Sequence, residues 1–233
     1  MNIIAFDTAA DVFSLALKAG ERRYFLEIGG GQKHSELIMD AAEALTRLAG
    51  LSKEDLSAAA CMEGPGSFTG LRIGFAAAKG LALARGIPLI PVPTLDCAAA
   101  PLSFWPGPVM PVMDAKKNAF FAALYWGGER ISPYMDAGPN ALAAALAAAL
   151  ADRAGPAAPG GAGPLLTGPG AGPLFPLLAP RFPGLALDPA HARARGMELL
   201  TLAEQAVIRD CTARGPLYLR KSDAELNGPP GAA

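Results

Sequence analysis

"PVMPVMDAKKNAFFAALYWGGER", Pro108 to Arg130, reads as an apolar strand ending at Asp114, a polar turn, an alternating strand, and a glycine turn followed by Glu129 and Arg130. The chain opens on the same order of parts. "NIIAFDTA" is a buried strand ending at Asp7, "VFSLALKAG" alternates into a glycine turn, and "ERRYFLEIG" supplies a third strand. Asp7 therefore corresponds to Asp114, and "AGER" at 19–22 to "GGER" at 127–130. Between these copies, "KHSELIMDAAEALTRLAG" places Leu37, Ala41, Leu45 and Leu48 on one helix face, with Ile38, Ala42 and Ala49 beside them. An alanine-rich helix at Ala141 to Asp152 echoes it. A strand follows each helix, so that "EGPG" at Glu63 matches "TGPG" at Thr167. Short resemblances arise by chance in a chain with 27 glycines and 22 prolines, but their common order argues for a duplication.

A repeated unit of three meandering strands, helix, strand and helix is the plan of the actin-like folds, related to the sugar kinases, Hsp70 and ribonuclease H. The expected class is α/β: two lobes, each a mixed sheet with flanking helices, with a nucleotide-binding cleft between them. The first lobe is placed at 1–100 and the second at 104–226, joined by the bridge "PLSFWPGP", with the last helix able to pack back on the first lobe. The insert "AGPAAPGGAG" from Ala154 reads as a loose surface loop, and 227–233 as a disordered tail.

Composition narrows the class. The 233 residues are 52% hydrophobic, ample for a core. The longest uncharged apolar run, "ALAAALAAALA" at Ala141 to Ala151, is well short of the ~20 residues that span a bilayer. The N-terminus has no basic region ahead of its short apolar segment, so a cytoplasmic protein is expected. Cys61, Cys97 and Cys211 are odd in number and without CxxC spacing, which reads as reduced thiols. A net charge of -1 offers no general pull toward a polyanion, so any nucleic acid is expected to be held mainly by another subunit.

The chemistry then turns on Glu63 to Gly74, "EGPGSFTGLRIG". A P-loop needs a lysine and a hydroxyl residue after its last glycine, and Gly70 is followed by Leu71 and Arg72. A nucleophile elbow around Ser67 needs glycines two residues to either side, where Pro65 and Thr69 stand. Ser67 or Thr69 reads instead as a helix N-cap. His34 has Ile38 one turn later, so no metal pair forms on that helix. Asp7 and Asp114, at strand ends facing the expected cleft, resemble the positions where actin-like ATPases place magnesium and phosphate contacts. Because "DTAA" lacks the glycine usual there and "AKKN" follows Asp114, the cleft reads as degenerate. Asp7, Thr8, Gly64, Gly66, Ser67 and Asp114 are the residues left for a residual nucleotide contact.

In a helix beginning near Ser67, Gly70, Gly74 and Ala78 fall four apart and form a bare ridge. Glycine inside a helix costs ~1 kcal/mol relative to alanine, so close packing must offset Gly70, Gly74 and Gly80. Two surfaces can supply it, the lobe's own interior or a partner chain. On the partner reading, Gly74→Leu weakens a complex and leaves the fold intact.

These residues also carry a resemblance. "GPGSFTGLRIGFAAAKGLALARGIPLIPV" resembles the signature of the bacterial tRNA threonylcarbamoyladenosine biosynthesis protein family TsaB, also called YeaZ. "IIAFDTA", "HSE" at His34, "DAKKNAFFAALY" and "PLYLRKSD" at Pro216 fit the same family in order, and Gly155 to His191 fits least. The resemblance implies a non-catalytic dimerisation subunit that activates a homologous, metal-bearing TsaD-like transferase, with a TsaE-like ATPase as a further partner. The product implied is N6-threonylcarbamoyladenosine at position 37 of ANN-decoding tRNAs. ATP, ADP and metal are expected on the partners and no cofactor on this chain, which is expected to form a homodimer when alone. The implied interface is a bundle of the first two helices, carried here by Leu37, Ile38, Ala41, Leu45, Gly70, Leu71, Gly74 and Ala78. An independent actin-fold ATPase or kinase, or a peptidase-like enzyme using the cleft near Asp7 and Asp114, is the alternative.

Overall fold

The computed structural model describes residues 1–29, 34–153, 162–206 and 212–220. Lys33, the glycine-rich insert at 154–161, Cys211 and the tail at 227–233 lie outside the described residues, as does the side chain of His34.

The first lobe is a meander that then crosses over. Strand β1 (Ile3–Asp7) pairs antiparallel with β2 (Phe13–Ala19), which pairs antiparallel with β3 (Arg22–Ile28) through a turn where Gly20 takes φ 60°. Helix α1 (His34–Leu48) carries the chain back so that β4 (Ala58–Gly64) lies parallel to β1 on its free side. Helix α2 (Phe68–Arg85) leads to β5 (Leu89–Pro93), parallel to β4, and the sheet order is β3-β2-β1-β4-β5. Helix α3 (Thr94–Ala99) then leads to the proline-rich bridge.

The second lobe repeats this plan with its meander interrupted. Strand β6 (Val109–Asp114) pairs with both β7 (Phe120–Ala122) and β8 (Tyr125–Trp126), while β9 (Glu129–Arg130) pairs with β8 and β10 (Met135–Ala137) with β7. At the break, the Ile131 amide donates to the Leu124 carbonyl at 2.8 Å and the Leu124 amide to Ser132 Oγ at 2.8 Å, so the ladder's polar groups stay satisfied. Helix α4 (Pro139–Arg153), β11 (Leu165–Thr167), α5 (Ala171–Leu178) and β12 (Ala186–Leu187) complete the order β10-β7-β6-β11-β12. Both sheets thus have their third, second, first, fourth and fifth strands in that order, the expected duplicated actin-like arrangement. The matched "EGPG" and "TGPG" each end a parallel strand and open a helix, with Gly64 at φ 117° and Gly168 at φ 86°.

Three layers of core follow. α1 and α2 cover one face of the first sheet around Ile4, Phe6, Leu15, Leu17, Phe75 and Leu89. α4 and α5 cover the outer face of the second sheet. Between the sheets lies a shared core with α3 and the last helix, α6 (Gly196–Gln205). Leu199, Leu200 and Ala203 of α6 are buried there, and α6 packs chiefly on β1 and β2 of the first sheet. Covered on both faces, β2 is buried continuously from Phe13 to Leu17 where its sequence suggested alternation. Among the described residues no helix is long and apolar enough to cross a membrane.

Candidate functional site

Where the lobes meet they leave a cleft of about 520 Å³. Its walls are the turn after β1 (Ala9 to Asp11), the start of α2 (Pro65 to Phe68), the turn after β6 (Asp114 to Lys117) and the segment Leu217 to Arg220. Of the residues expected to contact a nucleotide, Gly66, Ser67 and Asp114 line this cleft. Asp7, Thr8 and Gly64 do not.

The two strand-end aspartates have separate environments. Asp7 is 4% exposed, and its carboxylate accepts the amides of Arg195 at 2.6 Å and Ala9 at 3.2 Å. Burial is the larger influence and raises its pKa from 3.8 to about 6, against those two hydrogen bonds. Asp7 borders a void of only about 20 Å³, with Thr94, Arg193 and Arg195. Asp114 sits on the lip of the main cleft and accepts from both the amide (2.7 Å) and the ammonium (2.8 Å) of Lys116. The ammonium bond, more than the amide, holds its carboxyl below the usual value. The turn that makes this possible is strained: Lys116, Lys117 and Asn118 take φ of 60°, 54° and 56°, a conformation that costs ~1–2 kcal/mol per residue. With Asp7 turned inward and Asp114 tied to its own turn, the pair does not fit the magnesium–nucleotide site of an actin-like enzyme.

The glycine ridge faces inward and packs on the turn after β1, the lobe's own interior being one of the two surfaces its sequence left open. Thr8 Oγ1 donates to the Gly70 carbonyl at 2.6 Å. A Cβ at Gly70 would stand 2.0 Å from the Thr8 carbonyl oxygen, and one at Gly74 2.3 Å from Thr8 Oγ1. The turn after β1 lies directly on the first turns of α2, and only glycine admits it. Gly66 repeats the device, since its Cβ would meet the Ala9 carbonyl oxygen at 2.7 Å, where Ser67 N–H is already bonded. Ser67 caps α2 as expected, accepting from the Gly70 amide at 3.3 Å. Ile38, Ala41, Leu45, Leu71 and Ala78 are likewise buried within the lobe, and of the eight expected interface residues only Leu37 is exposed.

Other apolar side chains of the same helices point outward. Leu37, Met39 and Leu48 of α1 are exposed, Leu48 by 73%. On α2, Leu83 is 62% exposed, Ala76 and Ala84 are exposed beside it, and a Cβ at Gly80 would meet nothing within 4 Å. These positions were missed because α2 is apolar around nearly its whole circumference, so periodicity did not say which side looked in. Gly80 held a usable signal, being the one glycine of α2 off the four-residue ridge.

Two polar knots tie the lobes together and were not expected. In one, the Arg195 guanidinium donates to Thr167 Oγ1 (3.2 Å), Asp188 (3.1 Å) and the Ala190 carbonyl (3.2 Å), while its amide holds Asp7. Burial opposes ionisation of Asp188, but the hydrogen bonds from Thr167, Ala190 and Arg195 outweigh it and lower its pKa. In the other, Asp96 of α3 accepts from the hydroxyls of Tyr125 and Tyr134 in the second lobe, and burial, with the bonded Asp96 carboxylate adding to it, pushes both phenols up. Cys61 and Cys97 are buried thiols, and burial pushes the Cys97 thiol well up, which leaves it a poor nucleophile. Among the described residues no three His, Cys, Asp or Glu side chains cluster as a metal site would require.

Comparison with known proteins gives a consistent picture. The family model described as "TsaD: tRNA N6-adenosine threonylcarbamoyltransferase" matches residues 27–156. A Bacillus subtilis protein named tRNA threonylcarbamoyladenosine biosynthesis protein TsaB is 33% identical over 126 residues, 54% of this chain and 55% of its own. The Escherichia coli protein of that name is 40% identical over 96 residues, 41% of each. The matches thus span about half the length of these curated relatives or less. Two solved structures from Pseudomonas aeruginosa share the fold. One, described as similar to peptidase YeaZ, has a TM-score of 0.74 at 24% identity, and the other, YeaZ, 0.71 at 22%. Each alignment covers 94% of this chain and 99% of the other.

Proposed function

This chain belongs to the family described as TsaD, tRNA N6-adenosine threonylcarbamoyltransferase, and on that footing we propose that it works in tRNA threonylcarbamoyladenosine biosynthesis as a non-catalytic subunit. It binds and activates a TsaD-like homologue, which places the threonylcarbamoyl group on N6 of adenosine 37 in tRNAs reading ANN codons. A TsaE-like ATPase joins the assembly in the cytoplasm, tRNA is met through the complex, and nucleotide and metal belong to the partners.

The observation that carries this reading is the exposure of apolar side chains on both of the first two helices, Leu37 and Leu48 on α1 and Leu83 on α2, the last on the same side of its helix as the open Gly80. Large apolar side chains grouped on one surface mark a protein interface more often than chance exposure. A homologous partner presents a matching helix pair, so the docking is nearly isologous, and a second copy of this chain takes the same place when the partner is absent. The two engaged aspartates support a binding role over turnover in the cleft.

Light scattering on this chain mixed with the TsaD-like protein of the same organism tests the proposal. A one-to-one complex is expected, and Gly80→Glu is expected to abolish both it and the homodimer. The substitution introduces a charge at an open position and a better helix former, so the melting temperature should hold or rise. Full binding by Gly80→Glu would remove this face from the interface.

The cleft itself favours a second reading, an independent ATPase, kinase or peptidase-like enzyme, since Ser67, Lys116 and Lys117 line a space large enough for a ligand. Micromolar binding of magnesium-ATP with turnover by the isolated chain would select that reading.

A further inference from the structure

Beyond the partner reading, we infer that residues 214–220 form a clasp across the two lobes, whose closure fixes the width of the cleft. The segment begins on the first lobe. Arg214 pairs with Glu63 at 3.5 Å and its carbonyl accepts from Lys79 of α2 at 3.3 Å. Leu217 N–H donates to the Glu63 carbonyl at 2.7 Å, and the Leu217 carbonyl occupies the space that a side chain at position 64 would need. Tyr218 stacks on Phe68 with ring centroids 5.0 Å apart, and its hydroxyl accepts from Arg72 Nε at 3.1 Å, while that guanidinium lies 3.8 Å from the Phe68 ring.

Two residues later the chain is bound to the other lobe. Arg220 grips Asp136 of β10 with two nitrogens, Nε at 2.7 Å and Nη2, and its Nη1 donates to the Ala115 carbonyl at 2.9 Å. A guanidinium fork on a carboxylate is among the stronger and most directional contacts a side chain makes. Asp136 and Ala115 belong to the second lobe, Glu63 and Arg72 to the first, and Leu217 to Arg220 form a wall of the cleft between them. The short span between anchors makes the segment a tie. Widening the cleft requires one anchor to be released.

The test reads the two anchors against each other in the full chain without a partner, so its result is independent of the proposed complex. Arg220→Ala breaks the second-lobe anchor, and amide hydrogen exchange is followed at Leu217, on the first-lobe anchor. A clasp predicts about tenfold or faster exchange at Leu217, the effect of losing a charged hydrogen bond. Exchange in β1 and β4 should be unchanged, and small-angle scattering should report a more open particle. Asp136→Ala leaves the Ala115 contact, so it should speed exchange at Leu217 in the same direction by less and add nothing to Arg220→Ala, while Arg220→Lys should not rescue, because an ammonium cannot make the fork. Unchanged exchange at Leu217, an unchanged scattering profile, or faster exchange spread evenly over both sheets would each overturn the inference.

Discussion

Thr8 settles what two helix glycines are for. Its hydroxyl and carbonyl fill the space where side chains at 70 and 74 would project, so Gly74→Leu should cost stability directly, contrary to the expectation that it would spare the fold. Overpacking of this kind costs about 1–3 kcal/mol, and a side chain aimed at a bonded hydroxyl belongs at the upper end. Denaturant melts check it, and the smaller Gly74→Ala should be partly rescued by Thr8→Ala. Asp7 makes a second prediction. Its folded pKa of about 6 lies above the ordinary 3.8, so the folded state binds the extra proton between those values. Stability therefore falls as pH rises from about 4 to about 6, by up to about 3 kcal/mol from this residue. Asp7→Asn should flatten that part of the profile. An unchanged slope would place the titration elsewhere.

At the scale of elements, α2 shows what a sequence can and cannot tell. Its start at Ser67 is written in local chemistry and was legible, and it stops at Gly86, left-handed at φ 63°. Its orientation was not, because Ala76, Leu83 and Ala84 outside are as apolar as Phe75, Ala78 and Ala82 inside. A helix declares its buried side only when the other side is polar. The duplication was legible for the opposite reason, since Asp7 and Asp114 close local strand patterns that recur in order. Leu83→Glu belongs to this scale. It should weaken the proposed complex as Gly80→Glu does, with the melting temperature of the isolated chain little changed, measured by titration and thermal melts. Equal affinity would mean the face is merely exposed.

For the whole molecule, the contacts that set one lobe against the other come from residues far apart in the chain, beyond the reach of any local pattern. Arg195, Asp188 and Thr167 gave no sequence signal, yet they form a knot whose charged side chains are 11% and 9% exposed. Removing one partner of such a pair leaves a charge uncompensated, and Asp188→Ala should cost about 3 kcal/mol, the low end for a buried pair because Glu198 stands 3.5 Å from the same guanidinium. Chemical denaturation of the variant checks this, and a loss below about 1 kcal/mol would mean solvent reaches the knot. The position of α6 has a further consequence during synthesis. The first sheet is translated before the helix that covers its inner face through Leu199, Leu200 and Ala203, which emerges only after the second sheet. Until then a nascent chain carries Ile3, Ala5, Ala58 and Ala60 bare on one side, a surface that binds chaperones and other nascent chains. The first sheet therefore depends on a helix made only after the whole second sheet, and a transcript cut short after the bridge would yield a sticky fragment in place of a working lobe.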